Sequence, residues 1–253
     1  RPLPNPSISN VNPLCSGDSI KLNVDDTAAL TTNTWSGPNG FSSTSKSPVV
    51  ANATVAQSGK YSVINTNKYG CTATDTVDVL VKPLPNPIDA TNNGPICATN
   101  NLQLNANNPT TGAIYTWSGP IAYTSTLQNP LISGAAVSAS GVYTVTVDLN
   151  GCTNQDTTRV TVYPTPDKPV ITGNTPLYVG EILRLKVENP VAGADYLWLG
   201  PKNFSAPTLT PSVNSVLKSM SGYYKVTATI GTCSSSDSIL IDVLEKPEQT
   251  GKV

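Results

Sequence analysis

Histidine is absent from this 253-residue chain. Its absence removes Ser-His-Asp and Cys-His catalysis, histidine-ligated zinc and the commonest general base. Charge is scarce as well: charged residues make up 12%, with 15 basic residues against 16 acidic ones. Without a basic stripe to neutralise phosphates, nucleic acid is not an expected partner. No apolar run approaches membrane-spanning length and nothing reads as a signal peptide, so membrane insertion is not expected either. The chain opens at Arg1 rather than Met, which suggests a processed product or a fragment. No cofactor is expected. The acidic residues are too scattered for a paired-carboxylate site, which needs two carboxylates facing one cleft, so the expectation is a non-enzyme.

Turn-formers and β-formers are what the chain has instead. There are 18 glycines and 22 prolines, and Ser, Thr, Asn and Val are abundant, the composition of short strands joined by many turns. Three landmarks recur at a period of 81 or 82 residues. Trp35-Ser36-Gly37-Pro38 returns as Trp117-Ser118-Gly119-Pro120 and Trp198-Leu199-Gly200-Pro201. Gly59-Lys60-Tyr61 returns as Gly141-Val142-Tyr143 and Gly222-Tyr223-Tyr224, and Gly70-Cys71 as Gly151-Cys152 and Thr232-Cys233. Landmarks that keep register in this way mark a tandem array.

Proline clusters punctuate the array at Pro83-Leu84-Pro85-Asn86-Pro87 and Pro164-Thr165-Pro166, and Pro2-Leu3-Pro4-Asn5-Pro6 leads in. Such linkers are stiff and extended. The expected units are 1–82, 83–164 and 165–253, the last with a C-terminal tail. Within a unit the apolar period is two, as in Ile20-Lys21-Leu22-Asn23-Val24 and Tyr61-Ser62-Val63-Ile64. Short alternating strands at this density predict all-β sandwiches with almost no helix.

Two resemblances sharpen this. Ser16-Gly17-Asp18-Ser19-Ile20-Lys21-Leu22-Asn23-Val24 resembles the turn into strand B of an immunoglobulin-like domain. Trp35 then stands for the buried strand-C tryptophan, and Gln57-Ser58-Gly59-Lys60-Tyr61 for the tyrosine corner opening strand F. The positions where that family carries its inter-sheet cysteines hold Val24 and Val63. The resemblance implies three tandem immunoglobulin-like β-sandwich domains in a rod, without the usual inter-sheet disulfide. More narrowly, Pro-Leu-Pro-Asn-Pro, Cys-Ser-Gly, Trp-Ser-Gly-Pro-Asn-Gly-Phe and Tyr-Gly-Cys-Thr-Ala-Thr-Asp-Thr-Val are similar to repeats of large Bacteroidota surface proteins. These include gliding-motility-type adhesins exported by the type IX route. The third unit departs, with Tyr178 where Cys15 and Cys97 stand and Leu199 in place of Ser. This resemblance implies a secreted, cell-surface segment: a stalk or filament piece spacing a distal domain from the cell. The alternatives are an adhesin module that binds glycans or proteins itself, and a subunit of a homopolymeric filament. The implied partners are neighbouring domains of the same long chain, then surface glycans or identical chains.

A secreted setting favours disulfides. In the immunoglobulin strand assignment, Cys15 sits at the turn into strand B and Cys71 at the other end of the domain, after the F–G turn. A strand of about seven residues separates those ends by roughly 20 Å, whereas bridged Cα atoms lie within about 7 Å. That assignment favours Cys15 with Cys152 and Cys97 with Cys233, leaving Cys71 unpaired or paired with an upstream domain. Pairing within units, Cys15 with Cys71 and Cys97 with Cys152, is the alternative. Phe41, Tyr123 and Phe204, each six residues after its tryptophan, read either as a repeated contact surface or as rings capping the sandwich edge beside the tryptophan. Asp25-Asp26 reads as a solvated loop in preference to a calcium site. Ser19, Thr27, Thr76 and Ser238 fall in Asp-Ser/Thr-aliphatic strings that match the O-glycosylation signal of Bacteroidota.

Overall fold

The computed structural model describes residues 3–25 and 31–247. In the first unit the strands are β1 (Ser7–Asn10), β2 (Leu14–Cys15), β3 (Ile20–Asp25), β4 (Thr32–Ser36), β5 (Ser42–Ser43), β6 (Val49–Val50), β7 (Gly59–Thr66), β8 (Thr72–Val79) and β9 (Val81–Lys82). Seven of them form two sheets, β1-β3-β6 and β5-β4-β7-β8, and β2 and β9 form a separate pair. After β1 the chain leaves the first sheet, and β2 runs parallel to β9 in the register Leu14↔Val81. The other two units repeat the same orders strand for strand. The only helical segments among the described residues are 3₁₀ turns.

Alternation does the folding. In β3 the burial alternates, with Ile20, Leu22 and Val24 inside. In β7 it is Tyr61, Val63 and Asn65 that point inward. Three separate cores result, centred on Trp35, Trp117 and Trp198. Val24 and Val63 are 1% and 0% exposed, so apolar packing fills the place of an inter-sheet disulfide.

The repeated motifs interlock physically. The hydroxyls of Tyr61, Tyr143 and Tyr224 donate to the carbonyls of Gln57, Ala139 and Met220 at 3.0, 3.0 and 3.1 Å, which is the tyrosine corner. Burial pushes each of these phenols above the usual tyrosine range. The glycine of Trp-Ser-Gly-Pro lies flat against the corner ring: a Cβ on Gly37 would stand 2.5 Å from Tyr61 Cδ1. Pro38 in turn fills the space over Gly59, whose φ of +137° suits glycine best. Ser58, Ser140 and Ser221 then tie β9 and its counterparts in place, each accepting from one backbone N–H and donating to the carbonyl of the same residue.

Candidate functional site

The junctions between units carry the chemistry that distinguishes this chain from a row of independent sandwiches. Between Lys82 and Asn86 the linker is Pro83-Leu84-Pro85, and Pro85 is buried, as are Pro4 and Pro166 at the equivalent points. The far side of the linker belongs to the following unit: Asn86 N–H donates to Thr110 Oγ1 at 2.7 Å and its side-chain amide to Pro109 O at 3.0 Å. At the next junction Ser235 Oγ donates to Asp167 O at 2.8 Å. Strand β9 holds one end and the next unit's own loops hold the other, so little chain is left to swing.

The turn after β2 is built to present a side chain toward the following unit. Cys15 N–H donates to Asp18 Oδ2 at 2.9 Å while Asp18 N–H donates back to Cys15 O at 3.0 Å. Tyr178 and Glu181 make the same reciprocal pair in the third unit. The facing element is the turn ahead of the counterpart of β8. Cys15 is bonded to Cys152 with Cα atoms 5.7 Å apart, and Cys97 to Cys233 at 5.6 Å, both within ordinary disulfide reach. The bridges close loops with sequence separations of 137 and 136 residues. Cys152 and Cys233 are each 1% exposed, because the preceding unit covers them.

Each junction has a second contact. At the first, Lys82 Nζ donates to Asn150 O at 2.6 Å. At the second, the ring of Tyr163 lies over Gly231, so close that a Cβ there would stand 2.4 Å from Cε2. Sequence reasoning missed both. The available signal was that Lys82 and Tyr163 occupy one repeat position, immediately before the first proline of the linker.

The other singled-out residues do not join this site. Cys71 is a free thiol, half-buried at the first unit's equivalent of Cys152. Phe41, Tyr123 and Phe204 are half-buried. They meet the corner tyrosines edge-on, at ring-centre distances of 5.2, 5.6 and 5.2 Å from Tyr61, Tyr143 and Tyr224. Each corner ring is thus packed by the glycine backbone of the Trp-Ser/Leu-Gly-Pro turn and, edge-on, by the aromatic six residues after the tryptophan.

Asp25 forms an exposed ion pair with Lys46 at 3.8 Å; Asp26 lies outside the described residues. No group of three or more metal-ligating side chains occurs among the described residues. Ser19 is half-buried, Thr76 and Ser238 are exposed, and Thr27 lies outside the described residues.

Asp75 and Asp156 prove to be sheet clamps. Asp75 Oδ2 accepts from Ile8 N–H at 3.0 Å and Asp156 Oδ2 from Ala90 N–H at 2.7 Å, tying the first strand of the unit to the opposite sheet. Asp237 takes the ammonium of Lys168 at 3.0 Å instead. That contact and the Ser238 N–H hold its carboxyl below the usual range.

No family model and no curated protein sequence matches the chain. Solved structures do. The N-terminal eight Ig domains of Down Syndrome Cell Adhesion Molecule superpose with a TM-score of 0.63 at 16% identity, over 91% of this chain and 35% of that one. This chain thus spans about a third of that structure's length. These are tandem immunoglobulin-like domains. Murine CEACAM1b (16% identity, 62% of this chain, all of that one, TM-score 0.47) is a looser likeness. So is the titin fragment I67-I69 (14% identity, 98% of this chain, all of that one, TM-score 0.42).

Proposed function

We propose that the chain is a stapled segment of an extracellular stalk or filament body, holding a distal domain away from a bacterial cell surface. Its units are 1–82, 83–164 and 165–253, and its working partners are the neighbouring domains of the same polypeptide. The observation that carries this reading is that both disulfides join one unit to the next instead of closing a unit on itself. A bridge inside a unit protects that unit; a bridge across a junction removes the hinge. Closing loops of this size contributes on the order of 4–5 kcal/mol each in the chain-entropy model. Disulfides persist in oxidising, extracellular surroundings, and a surface poor in charge fits a spacer better than a reaction centre. Small-angle X-ray scattering tests it. The native chain should give one narrow distribution with a longest dimension of about 110–120 Å, three small sandwiches end to end. The Cys15→Ser, Cys97→Ser double variant should broaden toward bent shapes. An unchanged distribution would mean that the staples do not set the shape.

A second reading, an adhesin module, is favoured by one surface. On the outer face of the third unit's four-stranded sheet, Leu199, Tyr223 and Leu240 are 50, 67 and 54% exposed, and Tyr223 lies directly opposite Leu240. The first unit has Ser36, Lys60 and Asp78 at the equivalent points. A Tyr223→Ser, Leu240→Ser variant that lost adhesion of coated beads to glycan or protein surfaces would establish this reading.

A further inference from the structure

We propose that the face around Cys71 is the seat for one more repeat unit, preceding the first and bridged to Cys71 through a cysteine on its own β2-type turn. Three observations converge on that partner. Cys71 stands four residues before the clamp aspartate Asp75, as Cys152 stands before Asp156 and Cys233 before Asp237. In each unit that aspartate is paired with the inward valine of β7 or its counterpart, Val63, Val145 or Val226. Two of the three cysteines at this position are bonded to the preceding unit.

The Cys71 turn is also shaped from within. Asn67 Oδ1 accepts from the N–H groups of Tyr69 and Cys71, both at 3.0 Å, so the thiol is placed without help from a neighbour. Pro4, finally, is buried as Pro85 and Pro166 are.

The partner's chemistry follows. It is an immunoglobulin-like unit with a thiol at the end of the strand that pairs with its last strand, as in Leu14-Cys15 and Ile96-Cys97. A second copy of this chain does not qualify: Cys15 and Cys97 are already bonded, and the third unit presents Tyr178 at that turn. Bond formation removes two protons and two electrons from the two thiols. A disulfide-exchanging oxidant takes up both and leaves as two thiols.

The inference rests on the stapled-array reading and can be tested on the full chain by supplying the missing thiol. Tyr178 is 38% exposed and its backbone is held by the parallel pairing with Leu244, so Tyr178→Cys leaves the core intact. In a reduced and oxidised glutathione buffer, Y178C should form head-to-tail oligomers, and the wild type and the Y178C/C71S variant should not. Peptides linking position 71 to position 178 should exceed either symmetric link by about tenfold, the effect of one modest docking contact on the exchange equilibrium. Symmetric links in statistical proportion, or products that stop at dimers, would overturn the inference. Its failure appears in these peptides, whereas failure of the stalk reading appears in the scattering of the unmodified chain.

Discussion

The two junctions share a staple and differ in the second contact beside it. At the first, a lysine ammonium reaches a carbonyl of the facing turn. At the second, a tyrosine ring lies flat on a glycine. The lysine side chain is long and flexible and its contact is exposed to water, and such contacts contribute little beyond about 1 kcal/mol. The ring contact is apolar and close-packed. One fold therefore supports two kinds of joint, one with an exposed hydrogen bond beside its bridge and one with a packed ring beside it.

The largest effect expected from breaking this contrast is at Gly231. Gly231→Ala drives a methyl into the Tyr163 ring and should destabilise the second junction by about 1–3 kcal/mol. Gly151→Ala has no atom within 4 Å of the new methyl, so it should cost only the backbone term common to both sites, about 1 kcal/mol. Calorimetry of the two variants reads the difference, and equal losses would remove the packed-joint distinction.

The cores offer a finer comparison. Trp35 Nε1 donates to Ser45 O at 2.9 Å and Trp117 Nε1 to Gln128 O at 3.1 Å, while Trp198 Nε1 is buried without a partner. Tryptophan to phenylalanine should therefore cost about 1 kcal/mol more in the first two units than in the third, as read by hydrogen exchange of each unit's central strands. The smallest effect is acid sensitivity. Asp237 is held below its usual range by Lys168, so its stabilisation is present above the unfolded value of about 3.9 and disappears as pH falls through the lower folded value. Lys168→Met should flatten that part of the third unit's acid-unfolding profile. An unaltered profile would assign the acid response to other groups.

How much of this was legible in the sequence depends on which interactions are local. The corner tyrosines, the buried tryptophans and the alternating strands announce themselves because one residue type recurs at one period. Turn residues were partly legible too: Asn39, at φ 54°, is a type that tolerates the left-handed region, but Ile121 occupies the same turn position at φ 51°. What stayed hidden was set by partners distant in sequence. Asp75 clamps a strand 67 residues away. Phe41 packs edge-on against Tyr61, a partner in β7. The contact of Tyr163 with Gly231 exists only once two units are docked. Shared repeat position was the signal available for all three, since each contact or its variant falls at matched places in the array.

The most direct test of the account is a disulfide map by mass spectrometry of a non-reduced digest of the native chain. The account predicts peptides joining Cys15 to Cys152 and Cys97 to Cys233. Peptides joining Cys15 to Cys71 and Cys97 to Cys152 would contradict it, leaving separately closed domains on short linkers with no staple across either junction.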